Sequence, residues 1–145
     1  MKVDLYDRLL SCIDGFYEAA VDSNHWTAAL QSFNTLLSGN GAALLRFSDE
    51  SEVVSADIAE IPHNALPLYQ ALVSQDIRLS YVSCVKPGEL YNDGGMLARR
   101  EFERTDVFNL VLKPIDIPYH LCLRLPGSGV SVAVVERTAL TGPAS

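Results

Sequence analysis

His120, Cys122 and Arg124 stand two apart in the run YHLCLRL, and of all the residues in the chain they could most readily do chemistry together. On a strand that spacing sends all of them to one side. A cysteine beside a histidine is what a thiol nucleophile requires, because the imidazole must take up the thiol proton. Two ligands at this spacing could also begin a metal site. No third or fourth ligand is evident, so neither a metal nor a cofactor is expected. The row is read first as a buried cysteine beside a hydrogen-bonded histidine, with the lining of a small-molecule cavity by His120 and Cys122 as the alternative. His25 and His63 each stand at a helix start and are expected to be exposed.

The other candidates are weaker. Gly39-Asn40-Gly41, Gly94-Gly95 and Gly127-Ser128-Gly129 form neither a dinucleotide fingerprint nor a phosphate loop, and they mark a helix stop, a loop and a hairpin. No GxSxG nucleophile elbow is present. Asp4, Asp7, Asp14, Glu101 and Glu103 fit solvated helix faces. Tyr69, Tyr81, Tyr91, Phe102 and Phe108 fall in the middle third, where the chain is least regular. Aromatic walls with a few polar tips are the ordinary lining of a ligand cavity, and equally of a core.

These residues need a frame. Val130 to Val135 is a short β-branched run without polar alternation, the pattern of a central strand covered on both faces. Its partner across a glycine-containing turn is Tyr119 to Leu125. Ala42–Phe47 reads as a first strand, Val53–Ile58 as a more polar second strand nearer an edge, and Glu89–Tyr91 as a brief third. Leu5, Leu9, Ile13, Phe16 and Ala20 recur at helical spacing. Asp22-Ser23-Asn24 then caps a second helix carrying Trp26, Leu30 and Phe33. Pro62 opens a third helix, and Asp76–Val85 fits strand or helix equally. A helix over Met96–Arg104 follows, with Thr105-Asp106 capping the turns through Leu112. Sequential hairpins among crossing helices suit an antiparallel sheet with helices on its faces.

Bulk properties narrow the function. At 145 residues, 48% hydrophobic and 20% charged, the chain fits one globular domain. Eleven basic residues against eighteen acidic ones give a net charge of -7, which excludes phosphate-neutralising contact with nucleic acid and binding to an anionic membrane surface. The apolar runs fall far short of the roughly 20 residues of a membrane span. MKVDLYDRLL lacks an apolar signal core, so a cytoplasmic location is expected. An odd number of cysteines without CxxC spacing argues against a disulfide framework.

The segment HWTAALQSFNTLLSGNGAALLRF resembles the start of the sensor-like region in LuxR-type helix-turn-helix transcriptional regulators. QDIRLSY resembles that family's Asp-Pro-Arg stretch, with Ile77 in place of the usual Pro, and PGELYND resembles its Pro-Gly lead-in to the next helix. REFERTDVFNLVLKPIDIPYHLCLRL is similar to the segment where Phe-rich helices precede a Pro and a His-bearing strand. VERTALTGPAS resembles the point where the sheet gives way to a linker, with Ala144 where an aromatic is common. The resemblance implies a PAS/GAF-like α/β (α+β) domain: a five-stranded antiparallel sheet with helices on both faces. It implies a regulatory domain over 1–137 and the start of a linker over 138–145. It further implies a homodimer that meets DNA only through a C-terminal domain outside this chain. The Trp/Tyr/Asp set of acyl-homoserine-lactone receptors cannot be placed here, so that signal is not expected.

The leading expectation is a small-molecule effector bound between the sheet and the helices from Ala65 to Lys113, against Tyr69, Tyr81, Tyr91, Phe108, His120 and Cys122. The alternatives are a ligand-free dimerisation scaffold with the N-terminal helices as interface, and a small thiol enzyme using Cys122 and His120. A cavity of about 300 Å³ or more lined by Tyr69, Tyr81 and Phe108 favours sensing. An exposed apolar helix face favours the scaffold, and a Cys122 thiolate that titrates low favours the enzyme.

Overall fold

The computed structural model describes residues 4–93, 98–126, 129–140 and 142. Its central element is strand β5 (Val130–Arg137). β5 pairs antiparallel with β1 (Ala42–Phe47) on one side and β4 (Tyr119–Leu125) on the other. β2 (Val53–Ala59) lies outside β1 and β3 (Leu90–Asn92) outside β4, giving the order β2-β1-β5-β4-β3. Val132, Ala133, Val134 and Val135 are all buried, as a strand covered on both faces requires. The PAS/GAF-like architecture of five antiparallel strands with helices on both faces is the one observed.

One face of the sheet is covered by α2 (Trp26–Leu36). There Leu30 packs on Ala42, Leu44 and Ala59. The Asp22 side chain accepts from Asn24 N at 3.0 Å and opens the turn into α2. At the other end the Asn34 side chain accepts from Gly41 N at 3.0 Å. A Cβ at Gly39 would collide with Asn34 and Val135, so glycine is required where this chain reversal meets β5. Helix α1 (Leu5–Val21) packs on the outside of α2, burying Cys12 and Ala19. Phe16 meets Trp26 and Phe33 edge-on at 6.0 and 5.6 Å between centroids. The apolar stripe of α1 is therefore split: Phe16 faces α2, while Leu5, Leu9, Ile13 and Ala20 are exposed. α1 is apolar around more than one side, and its small residues Cys12, Gly15 and Ala19 allow the closer approach to α2.

The opposite face carries α3 (Ala65–Leu72), α4 (Arg78–Cys84), α5 (Arg99–Phe102) and a π-helical segment (Val107–Leu112). Pro62 closes a turn, its carbonyl accepting from Ala65 N at 3.0 Å, so α3 begins three residues after it. The ambiguous stretch Asp76–Val85 resolves as helix α4. Arg124 pins the end of that helix to β4, donating to the Val82, Ser83 and Val85 carbonyls at 3.1 Å each. α5 is shorter than the expected Met96–Arg104 helix, and residues 94–97 lie outside the described residues. Thr105 Oγ1 accepts from Phe108 N at 3.2 Å, while Gln75 Oε1, rather than the Asp106 side chain, takes Asp106 N at 2.9 Å. Lys113 N donates five residues back, to Phe108 O, at 2.9 Å, which gives the segment its π character.

Candidate functional site: a cavity on the sheet

Between the sheet and the second helical face lies a cavity of about 70 Å³. That volume has room for about five waters, so only a small ligand fits. Its floor follows from strand alternation and register. Ala43 of β1 lies opposite Val134 of β5, which lies opposite Cys122 of β4. Leu45, Val132, His120 and Glu136 extend this surface. Leu66 and Tyr69 of α3, Leu79 and Val82 of α4, and Val111 and Leu112 of the π-helical segment form the walls. The small residues Ala43 and Cys122 leave the space open, because the helices rest on the larger side chains around them.

A buried polar cluster closes one end of the cavity. Arg78 grips Asp76 through Nε–Oδ1 and Nη2–Oδ2 bonds, each 2.9 Å, and Tyr69 Oη donates to Asp76 Oδ2 at 2.7 Å. Arg78 Nη1 lies 3.3 Å from Asp93 Oδ2 and 3.0 Å from His120 Nδ1. Asp93 Oδ1 accepts from His120 N at 2.9 Å, and its Oδ2 lies 3.4 Å from Arg99 Nη1. Arg78 stacks over the Phe102 ring at 4.7 Å. Asp76, Arg78, Asp93, His120 and Glu136 are all buried. Charges so placed persist because they are paired and hydrogen-bonded.

The electrostatics follow. Burial pushes Asp76 up, but the Arg78 charge and the hydrogen bonds from Arg78 and Tyr69 outweigh it and hold the carboxyl below its ordinary value. Burial and the neighbouring Arg78 charge push His120 down to about 4, so at neutral pH it is an uncharged imidazole. Burial, reinforced by Asp93 and Asp76 and only partly offset by Arg78, raises Glu136 to about 8, so it holds its proton. Cys122 is pushed up to about 12, chiefly by burial. Such a thiol lacks the thiolate character of a nucleophile.

Of the residues singled out in the sequence, Tyr69, His120 and Cys122 line the cavity together. Tyr81 and Tyr91 stack on each other at 5.8 Å, beside Phe102 and Phe108, which meet edge-on at 5.4 Å. These four rings form the core next to the cavity rather than its wall. His25 and His63 are exposed. Asp76, Arg78, Asp93 and Glu136 were not legible as site residues. The available signals are the close acid–base pair Asp76 and Arg78 among Ile77, Leu79 and Tyr81, and the family resemblance of QDIRLSY and PGELYND, which carry Asp76, Arg78 and Asp93. A wider groove of about 690 Å³ runs along Ser48, Ser51, Ser80, Ser83 and Arg124 at the hairpin end of the sheet. It is more polar, and its guanidinium is committed to the end of α4.

Fold and site together define a PAS/GAF-like α/β domain with a small, largely apolar cavity on its sheet. Among the described residues no group of His, Cys, Asp and Glu is arranged to hold a metal ion, and no helix is long and apolar enough to cross a membrane. No protein-family model matches the sequence, and no curated protein matches it. Among solved structures, the chain is similar to the red-light-absorbing state of NpR6012g4, a red/green cyanobacteriochrome. The TM-score is 0.47 and the identity 14%, over 82% of this chain and 78% of that one.

Proposed function

We propose that the chain is a sensing domain that binds a small molecule between its sheet and helices α3 and α4, and serves as the regulatory half of a LuxR-type transcriptional regulator. The cavity is smaller than the expected 300 Å³, and Tyr81 and Phe108 lie outside its lining; what carries this reading is the character of that lining, an apolar surface ending in buried polar groups. The cavity's size suits a small ligand rather than a drug-sized one. The LuxR assignment rests on the sequence resemblance. The net charge of -7 supports a role in which DNA is contacted elsewhere in the protein. The raised Cys122 thiol supports a non-catalytic role. Regulation requires the ligand to bind two arrangements of the domain with different affinity. A thermal-shift screen of small ring compounds on the purified chain tests the reading. A ligand at 100 times its dissociation constant adds about 2.7 kcal/mol of stability. Ala43→Leu, which fills the cavity floor, abolishes that gain. A gain that survives Ala43→Leu would move the site elsewhere and refute the proposal.

A second property has its own observation. Tyr6, Leu10, Ile13 and Tyr17 follow one another at four-three-four spacing on α1, and all are exposed. This is the spacing of a two-stranded coiled-coil seam, which a two-fold axis along it would make its own complement. We propose that a second copy of the chain packs there. Light scattering gives a dimer mass for the wild type and a folded monomer for Ile13→Asp. A monomeric wild type at high concentration would eliminate this contact.

A further inference from the structure

Two hydrogen-bonding atoms among the cavity-lining residues have no partner among the described residues: His120 Nε2 and Glu136 Oε2. Each belongs to a residue only 7% exposed, and the two residues lie directly opposite across β4 and β5. Their chemistry is fixed by what surrounds them. The Arg78 guanidinium can only donate, so His120 Nδ1 accepts from it and the ring proton sits on Nε2. Asp93 Oδ2, at 4.0 Å, is too far to accept that proton. Arg78 is committed to Asp76, Asp93 and His120, and Glu136 forms no ion pair among the described residues, so its acid is neutral. Leaving one buried polar atom unpaired costs roughly 1–3 kcal/mol, and native proteins rarely keep two side by side.

Resting on the sensing role above, we propose that the ligand is an uncharged molecule of about one ring, carrying a single hydroxyl or amide group that accepts from His120 Nε2–H and bonds the Glu136 carboxyl. Its apolar body lies on Ala43, Val134 and Cys122. A carboxylate ligand brings an unbalanced charge to a cluster in which Asp76 and Asp93 already offset Arg78 and Arg99. An ammonium ligand meets an N–H donor and a protonated acid. Both are disfavoured against water.

The test titrates phenol, toluene, benzoate and benzylamine into the full chain at pH 7, followed by calorimetry and by the ¹⁵N resonance of the His120 ring. Phenol and toluene share a shape, so their difference isolates the hydroxyl. Phenol is expected to bind at least tenfold more tightly than toluene and to shift the His120 Nε2 resonance. His120→Phe is expected to bring the two within twofold. If that variant does not fold, the ring resonance in the wild type decides. Equal binding of phenol and toluene would overturn the inference and leave the sensing role standing. Tighter binding of benzoate or benzylamine would overturn the neutral class. Binding of none of the four would remove both the inference and the sensing role.

Discussion

Glu136 and His120 face each other across two strands, and both are held neutral by burial, in opposite senses. His120 titrates near 4 instead of 6.5, and Glu136 near 8 instead of 4.5. Below pH 6.5 the unfolded chain takes up the histidine proton and the folded chain does not, so this stabilisation fades as pH falls toward 4. Between pH 4.5 and 8 the folded chain keeps a glutamate proton that the unfolded chain releases, so rising pH costs stability. The charged groups facing the pair are Arg78, Asp76, Asp93 and Arg99. From pH 6.5 to 8 only the glutamate slope of the two remains. Urea unfolding is expected to show stability falling there by up to about 1.4 kcal/mol per pH unit. Glu136→Gln flattens that slope, and a wild-type curve already flat across the window would contradict the assignment. Single residues were the least legible level of the sequence. His120 and Cys122 announced themselves by spacing. Asp93 precedes two glycines and looks like a turn residue, yet it is fully buried and receives the His120 backbone. Glu136 next to Arg137 looks like a strand end reaching water, and nothing local reveals that the sheet continues around it.

At the scale of elements, pattern was a good guide wherever only one face or one period was available. β5 is legible from its β-branched run, and β1 and β4 from short apolar runs bounded by glycine or proline, too short for a helix. α4 is not, since Ile77, Leu79, Tyr81 and Val85 satisfy either period until Arg124 fixes the end of the helix. In α1 the stripe does not identify the buried face: Phe16, Cys12 and Ala19 meet α2, because several sides of the helix are apolar and periodicity alone cannot say which of them meets a neighbour. The α2–β1 connection turns on Gly39, where a methyl group meets Asn34 and Val135 at once. Gly39→Ala is expected to destabilise the domain by about 1–3 kcal/mol through overpacking. Equilibrium denaturation measures this, and an unchanged midpoint would mean that the reversal has room to shift. Gly129 is a second such position: its φ is 69°, and a Cβ there would lie 2.7 Å from the Phe47 carbonyl oxygen.

For the whole molecule, the division of labour follows from layering. α2 covers one face of the sheet and α1, packed on α2, presents an apolar seam outward, while the helices of the other face roof a chamber over β1, β5 and β4. A ligand there would touch α3, α4 and the π-helical segment together. The α/β class and its antiparallel sheet were foreseeable from element order. The chamber was not, since a void arises from where large side chains stop each other and no single segment encodes it. The claim that this chamber admits a guest is tested most directly by methyl NMR of the chain under xenon, which enters apolar cavities irrespective of ligand identity. Saturable shifts are predicted for the methyls of Ala43, Leu79, Val82, Val132 and Val134, with those of Ala29 and Leu30 unmoved. A spectrum in which none of the first group responds would show a filled core and contradict the account.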